Sequence, residues 1–140
     1  MKTLIKKILF ITLFCATSVF FSCKSTEVVI TDNLTHAQLI QKGQDMVARQ
    51  KYKDANKYFM ASLEKYGSDL KCYVEARYEV AHCFYKQKNY DNAKTMFEEI
   101  ITIYDSPQAM YQIQPKYKKL ASMSLDKIKQ IEEQKSKKDK

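Results

Sequence analysis

Apolar positions recur with a helical period in two blocks between Tyr73 and Tyr104, and a short polar turn separates them. In the second block Tyr90, Ala93, Phe97, Ile100, Ile101 and Tyr104 share one face of a helix, the pattern of a single buried stripe. The first block is apolar on two faces. Tyr73, Ala76, Val80, Cys83 and Phe84 make one, Val74, Tyr78, Ala81 and Tyr85 the other, and Lys71, Glu75, Glu79, His82 and Lys86 remain as a polar stripe. A helix that is apolar on two sides is packed between neighbours, so the pair predicts a helical hairpin inside an all-α array.

Moving the chain by 38 residues superimposes an earlier segment on this one: Tyr52, Ala55, Phe59, Leu63 and Tyr66 fall on Tyr90, Ala93, Phe97, Ile101 and Tyr104, and Gly43 falls on Ala81. Local signals mark the helix ends. Thr35 and Gln38 have the capping-box form and open a first helix that runs to about Arg49. Gly67 is placed as a left-handed residue closing the second helix. Ser106 and Pro107 form a cap and first-turn pair, and Pro115 restarts the chain before a long last helix. Tyr117, Leu120, Ala121, Ser124, Leu125, Ile128 and Ile131 give that helix an inner face, so five helices are expected over residues 34–132.

A small residue in each first helix, followed by aromatic, small and aromatic residues in each second helix, resembles the tetratricopeptide repeat. The resemblance implies a right-handed α-solenoid of two hairpins plus a capping helix, with Gly43, Ala81, Ala55 and Ala93 allowing close helix approach and Phe59 and Phe97 filling the space between hairpins. Leu39 and Arg77 stand where that repeat often has tryptophan, and no proline follows Tyr66. The period exceeds the usual ~34 residues, and so resembles the lengthened hairpins of lipoproteins in the outer-membrane barrel-assembly machinery.

The N-terminus adds a location. Lys2, Lys6 and Lys7 precede the almost wholly apolar run Ile8 to Phe21, the form of an export signal over residues 1–22. Cys23 follows Ser22, and Phe20 to Cys23 resembles a bacterial lipobox, which implies a diacylated Cys23 as mature N-terminus and lipid anchoring by two acyl chains. Phe20 stands where many lipoboxes have Leu, and Leu4 to Phe21 also approaches the ~17 residues of a short spanning helix, so an uncleaved signal anchor is the alternative. Residues 23–33 would be a tether, with Val28 to Ile30 free to lie along the first hairpin. Lys24 rather than Asp after the cysteine favours the outer membrane, facing the periplasm.

From Cys23 to Gln114 the charges balance, with 12 Lys or Arg against 12 Asp or Glu, whereas residues 115–140 hold nine Lys against four acids. That end is suited to anionic lipid or an acidic partner, and residues 133–140 are expected as a basic disordered tail; an exported lipoprotein meets no nucleic acid. Cys72 and Cys83 lie in one expected helix ~16 Å apart, beyond the ~7 Å reach of a disulfide. Cys83 is a small buried hydrophobe, and Cys72 is available for pairing between chains.

No catalytic constellation, metal set or cofactor site emerges. Glu79 and His82 have the Glu-x-x-His spacing of di-iron bundles but lack the second pair, which leaves them a surface pair, and His36 is expected to be exposed beside the first cap. Two glycines cannot build a phosphate-cradling loop. The expected function is therefore a lipid-anchored protein-interaction module in envelope assembly, with a structural subunit buried in a larger complex as the alternative. Two and a half repeats fall below the ~3 needed for independent stability, so a partner protein or a homodimer would complete the domain. In folds of this kind the groove is the exposed stripe of the first helices, here Gln44, Glu75, Tyr78, Glu79, His82, Tyr85, Lys86 and Lys118. Ile40 and Gln44 replace the Lys and Asn of the family's carboxylate clamp, so a ligand ending in Asp or Glu is not expected. Tyr78 and Tyr85 are either binding hot spots or packing against the last helix; in the second case the basic face of Lys116 to Lys129 is where binding is sought.

Overall fold

The computed structural model describes residues 28–138, so the signal segment and Cys23 lie outside the described residues. The described residues are helical and contain no strand. The helices are α1 (His36–Ala48), α2 (Tyr52–Tyr66), α3 (Leu70–Lys86), α4 (Tyr90–Ile103), the short α5 (Pro107–Gln112) and α6 (Lys116–Lys138). Four of them, α1, α3, α4 and α5, start where a side chain accepts from the free N–H groups of the first turn. Thr35 Oγ1 accepts from Gln38 N at 3.3 Å while Gln38 Oε1 accepts from Thr35 N at 2.9 Å, a complete capping box. Asp69 accepts from Lys71 N and Cys72 N at 2.9 and 3.0 Å, and Ser106 caps α5 with Pro107 in its first turn.

The two long hairpins repeat one turn. At the end of α1, Lys51 N–H donates to the Met46 carbonyl and Gln50 N–H to the Val47 carbonyl, both at 2.9 Å. At the end of α3, Asn89 and Lys88 donate to Phe84 and Tyr85, both at 3.0 Å. This paired pattern closes a helix through one left-handed residue. Those residues are Gln50 at φ 59° and Lys88 at φ 61°, and neither is glycine. Gly67 departs from its expected role, with right-handed φ −69°. Its N–H continues the α2 ladder to Leu63 at 2.9 Å and Asp69 caps α3 two residues on, so no left-handed reversal is needed. Glycine is required there by space, because an added Cβ would stand 2.3 Å from the Leu63 carbonyl oxygen.

Successive helices pack on one another from α1 to α4, and α6 then covers α4. Contacts between α1 and α3 and between α3 and α6 set those three in a row. As its two-faced pattern predicts, α3 sits between two clusters. Ala76, Val80 and Cys83 meet Ile40, Ala55 and Phe59 of hairpin one, while Val74 and Ala81 join Ala93, Phe97, Ile100, Tyr117, Ala121 and Ile128. Burial of each large side chain contributes about 1.5–3 kcal/mol. Close approach in hairpin one depends on Gly43: a Cβ there would fall 2.2 Å from the Phe59 ring. Phe59 thus fills space within its own hairpin as well as against α3.

Two expectations for the last helix change. α6 continues to Lys138, so residues 133–138, expected as a disordered tail, are helical. Leu120, expected on the inner face, is 37% exposed, because Tyr117, Ala121 and Ile128 occupy the buried positions. Ahead of α1, the segment from Val28 to Leu34 lies along hairpin one. Tyr66 Oη and Lys65 Nζ donate to the Leu34 carbonyl at 2.8 and 3.2 Å, and Lys65 also reaches the Asp32 carbonyl.

Candidate functional site

The row of α1, α3 and α6 carries a chain of polar contacts crossing four helices. Buried Ser62 of α2 bonds His36 Nδ1 at 2.7 Å, and His36 Nε2 meets Glu75 Oε2 of α3 at 3.1 Å. The other carboxylate oxygen, Oε1, accepts from Tyr117 Oη of α6 at 2.7 Å. Both ring nitrogens of His36 thus have a partner. His36 is therefore half-buried rather than exposed. Burial alone would raise the Glu75 pKa, but the bonds from Tyr117 and His36 hold it below the ordinary value. Tyr117 is pushed up, first by burial and then by the Glu75 carboxylate. Ser62, His36 and Glu75 have the composition of a catalytic triad without its accessibility, since the serine is fully buried.

One turn further along α3, Glu79 Oε1 accepts from Gln44 Nε2 of α1 at 2.7 Å, which replaces the expected pairing of Glu79 with His82. Burial raises the Glu79 pKa, opposed by that hydrogen bond. His82 instead stacks between two tyrosines, with ring centroids 6.0 Å from Tyr78 and 6.3 Å from Tyr85 and both interplanar angles 14°. Burial, then the charges of Lys86 and Lys127, lower its pKa. Tyr78 is also 5.7 Å from Phe97 and 5.5 Å from Tyr117, so it packs between α3, α4 and α6 rather than standing free in a groove. Tyr85 leans on Tyr90 at 5.9 Å. Lys86 is exposed at the end of α3.

Lys118 leaves this group. Its Nζ meets Asp105 at 3.4 Å, beside the loop after α4. Beside Tyr117, two lysines of α6 bear on α3: Lys116, which lines a hollow with Glu75 and Tyr117, and Lys127, whose charge acts on His82. Sequence reasoning named neither as a groove residue individually, although the basic face from Lys116 to Lys129 includes both. Of the expected set, Gln44 meets Glu79 and His82 meets Tyr78 and Tyr85, while Glu75 is engaged by His36 and Tyr117; Cys23 lies outside the described residues.

On the other side of α3, Arg77 Nε donates to Glu99 at 3.0 Å and Tyr73 Oη bonds the same carboxylate, tying α3 to α4. Cys72 is half-buried and Cys83 buried, both as free thiols, and burial pushes the Cys83 pKa up to about 12. Such a thiol is a packing group rather than a nucleophile. Among the described residues no cluster of three or more His, Cys, Asp or Glu is placed to hold a metal, and no helix is long and apolar enough to cross a membrane. In comparisons with protein-family models, curated proteins and solved structures, nothing matches this chain.

Proposed function

We propose that the chain is a lipid-anchored helical-repeat protein of the bacterial cell envelope, whose α1–α3–α6 face holds a segment of another envelope protein. The finer fold in this reading is a tetratricopeptide-like right-handed α-solenoid of two hairpins, with α6 as its cap. Support for the repeat comes from the left-handed turns at Gln50 and Lys88, one period of 38 residues apart, and from the matching pairs Ala55 and Ala93, Phe59 and Phe97. Cys23 carries the anchor, at the outer membrane facing the periplasm, on the strength of the lipobox-like Phe20 to Cys23 and of Lys24 after it.

The observation that carries the binding role is the exposed remainder of this row. Polar and aromatic side chains of three helices meet there, partly open to solvent, as an amphipathic binding surface requires. The reading is of an interaction module, not an enzyme. It is tested on the full chain in cells, with a photo-crosslinking residue in place of His82 and palmitate labelling read in parallel. The expected result is a protein adduct from His82, and labelling that Cys23→Ser abolishes. Absence of any adduct removes the binding role, and labelling that persists in Cys23→Ser removes the anchor.

A further inference from the structure

The chemistry of the held segment follows from which groups on this face are already engaged, and the inference rests on the binding role proposed above. Lys116, Leu120, Met123 and Lys127 recur at helical spacing and form one stripe of α6. Lys116, at one end, stands near Glu75; Lys127, at the other, acts on His82. The Lys116 end borders α3 at that hollow, and Leu120 and Met123 continue the same edge of α6 by helical spacing. They are 37% and 45% exposed, an apolar pair open to solvent beside charged neighbours.

The acids of this face are engaged. Glu75 uses both oxygens, on His36 and Tyr117, and Glu79 is bound to Gln44. The bases are not: Lys86, Lys116 and Lys127 are exposed and take part in no salt bridge among the described residues. Lys116 rests over its neighbour's ring, 4.6 Å from the Tyr117 centroid, and its charge acts on Glu75 and Glu79 without a direct salt bridge. We propose that this face binds an acidic amphipathic helix, with apolar side chains on Leu120 and Met123 and carboxylates on Lys86, Lys116 and Lys127. The stripe from Lys116 to Lys127 is about 16 Å long, the length of about three turns of such a helix. A second copy of the chain is a poor occupant, since symmetric apposition of the α6 stripes sets lysine against lysine.

The test titrates the full chain, in zwitterionic micelles, with two labelled amphipathic peptides of about 18 residues. They share one Leu stripe, and the stripe is flanked by Glu in one peptide and by Lys in the other. Lys116→Glu with Lys127→Glu, and Leu120→Glu with Met123→Glu, serve as variants; all four side chains are exposed or at the exposed margin, and circular dichroism checks their folding. The Glu peptide is expected to bind at least about tenfold tighter than the Lys peptide, a difference of about 1.4 kcal/mol. Leu120→Glu with Met123→Glu should abolish that preference, and Lys116→Glu with Lys127→Glu should reverse it. Equal binding of both peptides, or preference of the native chain for the Lys peptide, overturns the proposal. So does sedimentation with phosphatidylglycerol vesicles that needs Lys116 and Lys127 while neither peptide binds, which would assign the stripe to lipid. An adduct from His82 in cells alongside any of these failures leaves the binding role standing and removes only the acidic-helix assignment.

Discussion

Hairpins one and two share a turn but differ in how their helices come close. In hairpin one the Phe59 ring lies on Gly43, where a methyl group would collide with it. In hairpin two the matching position is Ala81, fully buried, and Phe97 rests beside Tyr78, which stands where hairpin one has Ile40. Their closing tyrosines also differ in use. Tyr66 bonds the Leu34 carbonyl ahead of its own hairpin, while Tyr104 bonds the Gln114 carbonyl at 2.6 Å, ahead of α6. The lesson is that the two hairpins share turn and register, whereas side-chain volumes are exchanged between them. Among the described residues, hairpin two is covered on both sides, by α2 and α6, and hairpin one by α3 and the leading segment.

The largest expected break in this comparison comes from the two phenylalanines. Phe59→Ala and Phe97→Ala should each cost about 3–5 kcal/mol in urea denaturation. Phe97→Ala should in addition speed amide exchange in α6, which Phe59→Ala should leave alone; equal exchange in α6 for both would mean that the clusters are not separate. Next comes Gly43→Ala, expected to cost about 1–3 kcal/mol by overpacking against Phe59. The complementary Ala81→Gly should cost only about 1 kcal/mol from helix propensity. A neutral Gly43→Ala would show that hairpin one can open to accept the methyl group.

Smaller effects sharpen the tyrosine comparison. Tyr66→Phe and Tyr104→Phe should each lose about 1 kcal/mol with one hydrogen bond. The first should free the segment before α1 to proteolysis, and the second the segment before α6. Cleavage at the same place in both would remove the distinction.

Acidity separates two neighbours on α3. The folded pKa of His82 is depressed, so its stabilisation is present above the unfolded value of 6.5 and is lost as pH falls from there through the folded value. The folded pKa of Glu79 is raised, so its stabilisation is present below the unfolded value of 4.5 and is lost as pH rises through the folded value. In melting temperatures measured across pH, His82→Gln should flatten the fall below 6.5. Glu79→Gln should flatten the loss above 4.5, keeping an acceptor for Gln44. Unchanged profiles in both variants would contradict the burial assigned to these groups.

Much of the helical layout was legible because its signals are local and periodic. The two faces of α3, the capping box at Thr35 and the start of α5 at Ser106 follow from spacing alone. The left-handed turns were not legible, because Gln50 and Lys88 are neither glycine nor asparagine, and Gly67 carried the usual signal without the conformation. Polar contacts between helices were harder still. Ser62, His36, Glu75 and Tyr117 sit on four helices, and their meeting depends on the rotation of each helix about its axis. A single step around α6 separates Lys116, near Glu75, from Tyr117 on the inner face, and another step reaches Lys118 beside Asp105; each step is about 100°. Sequence pattern fixed the inner face of α6 only to within such a step, which is why Leu120 was placed inward.

The central claim is that one face of the molecule works and the other does not, and positional crosslinking in cells tests it most directly. A photo-crosslinking residue is placed singly at the exposed Gln44 and Met123 and the half-buried Glu79 and His82 on the α1–α3–α6 row, and at the exposed Met60, Asn92 and Glu98 of α2 and α4. Adducts to another protein are expected from the first group and not from the second. Adducts of equal yield from both groups, or only from α2 and α4, would contradict the account.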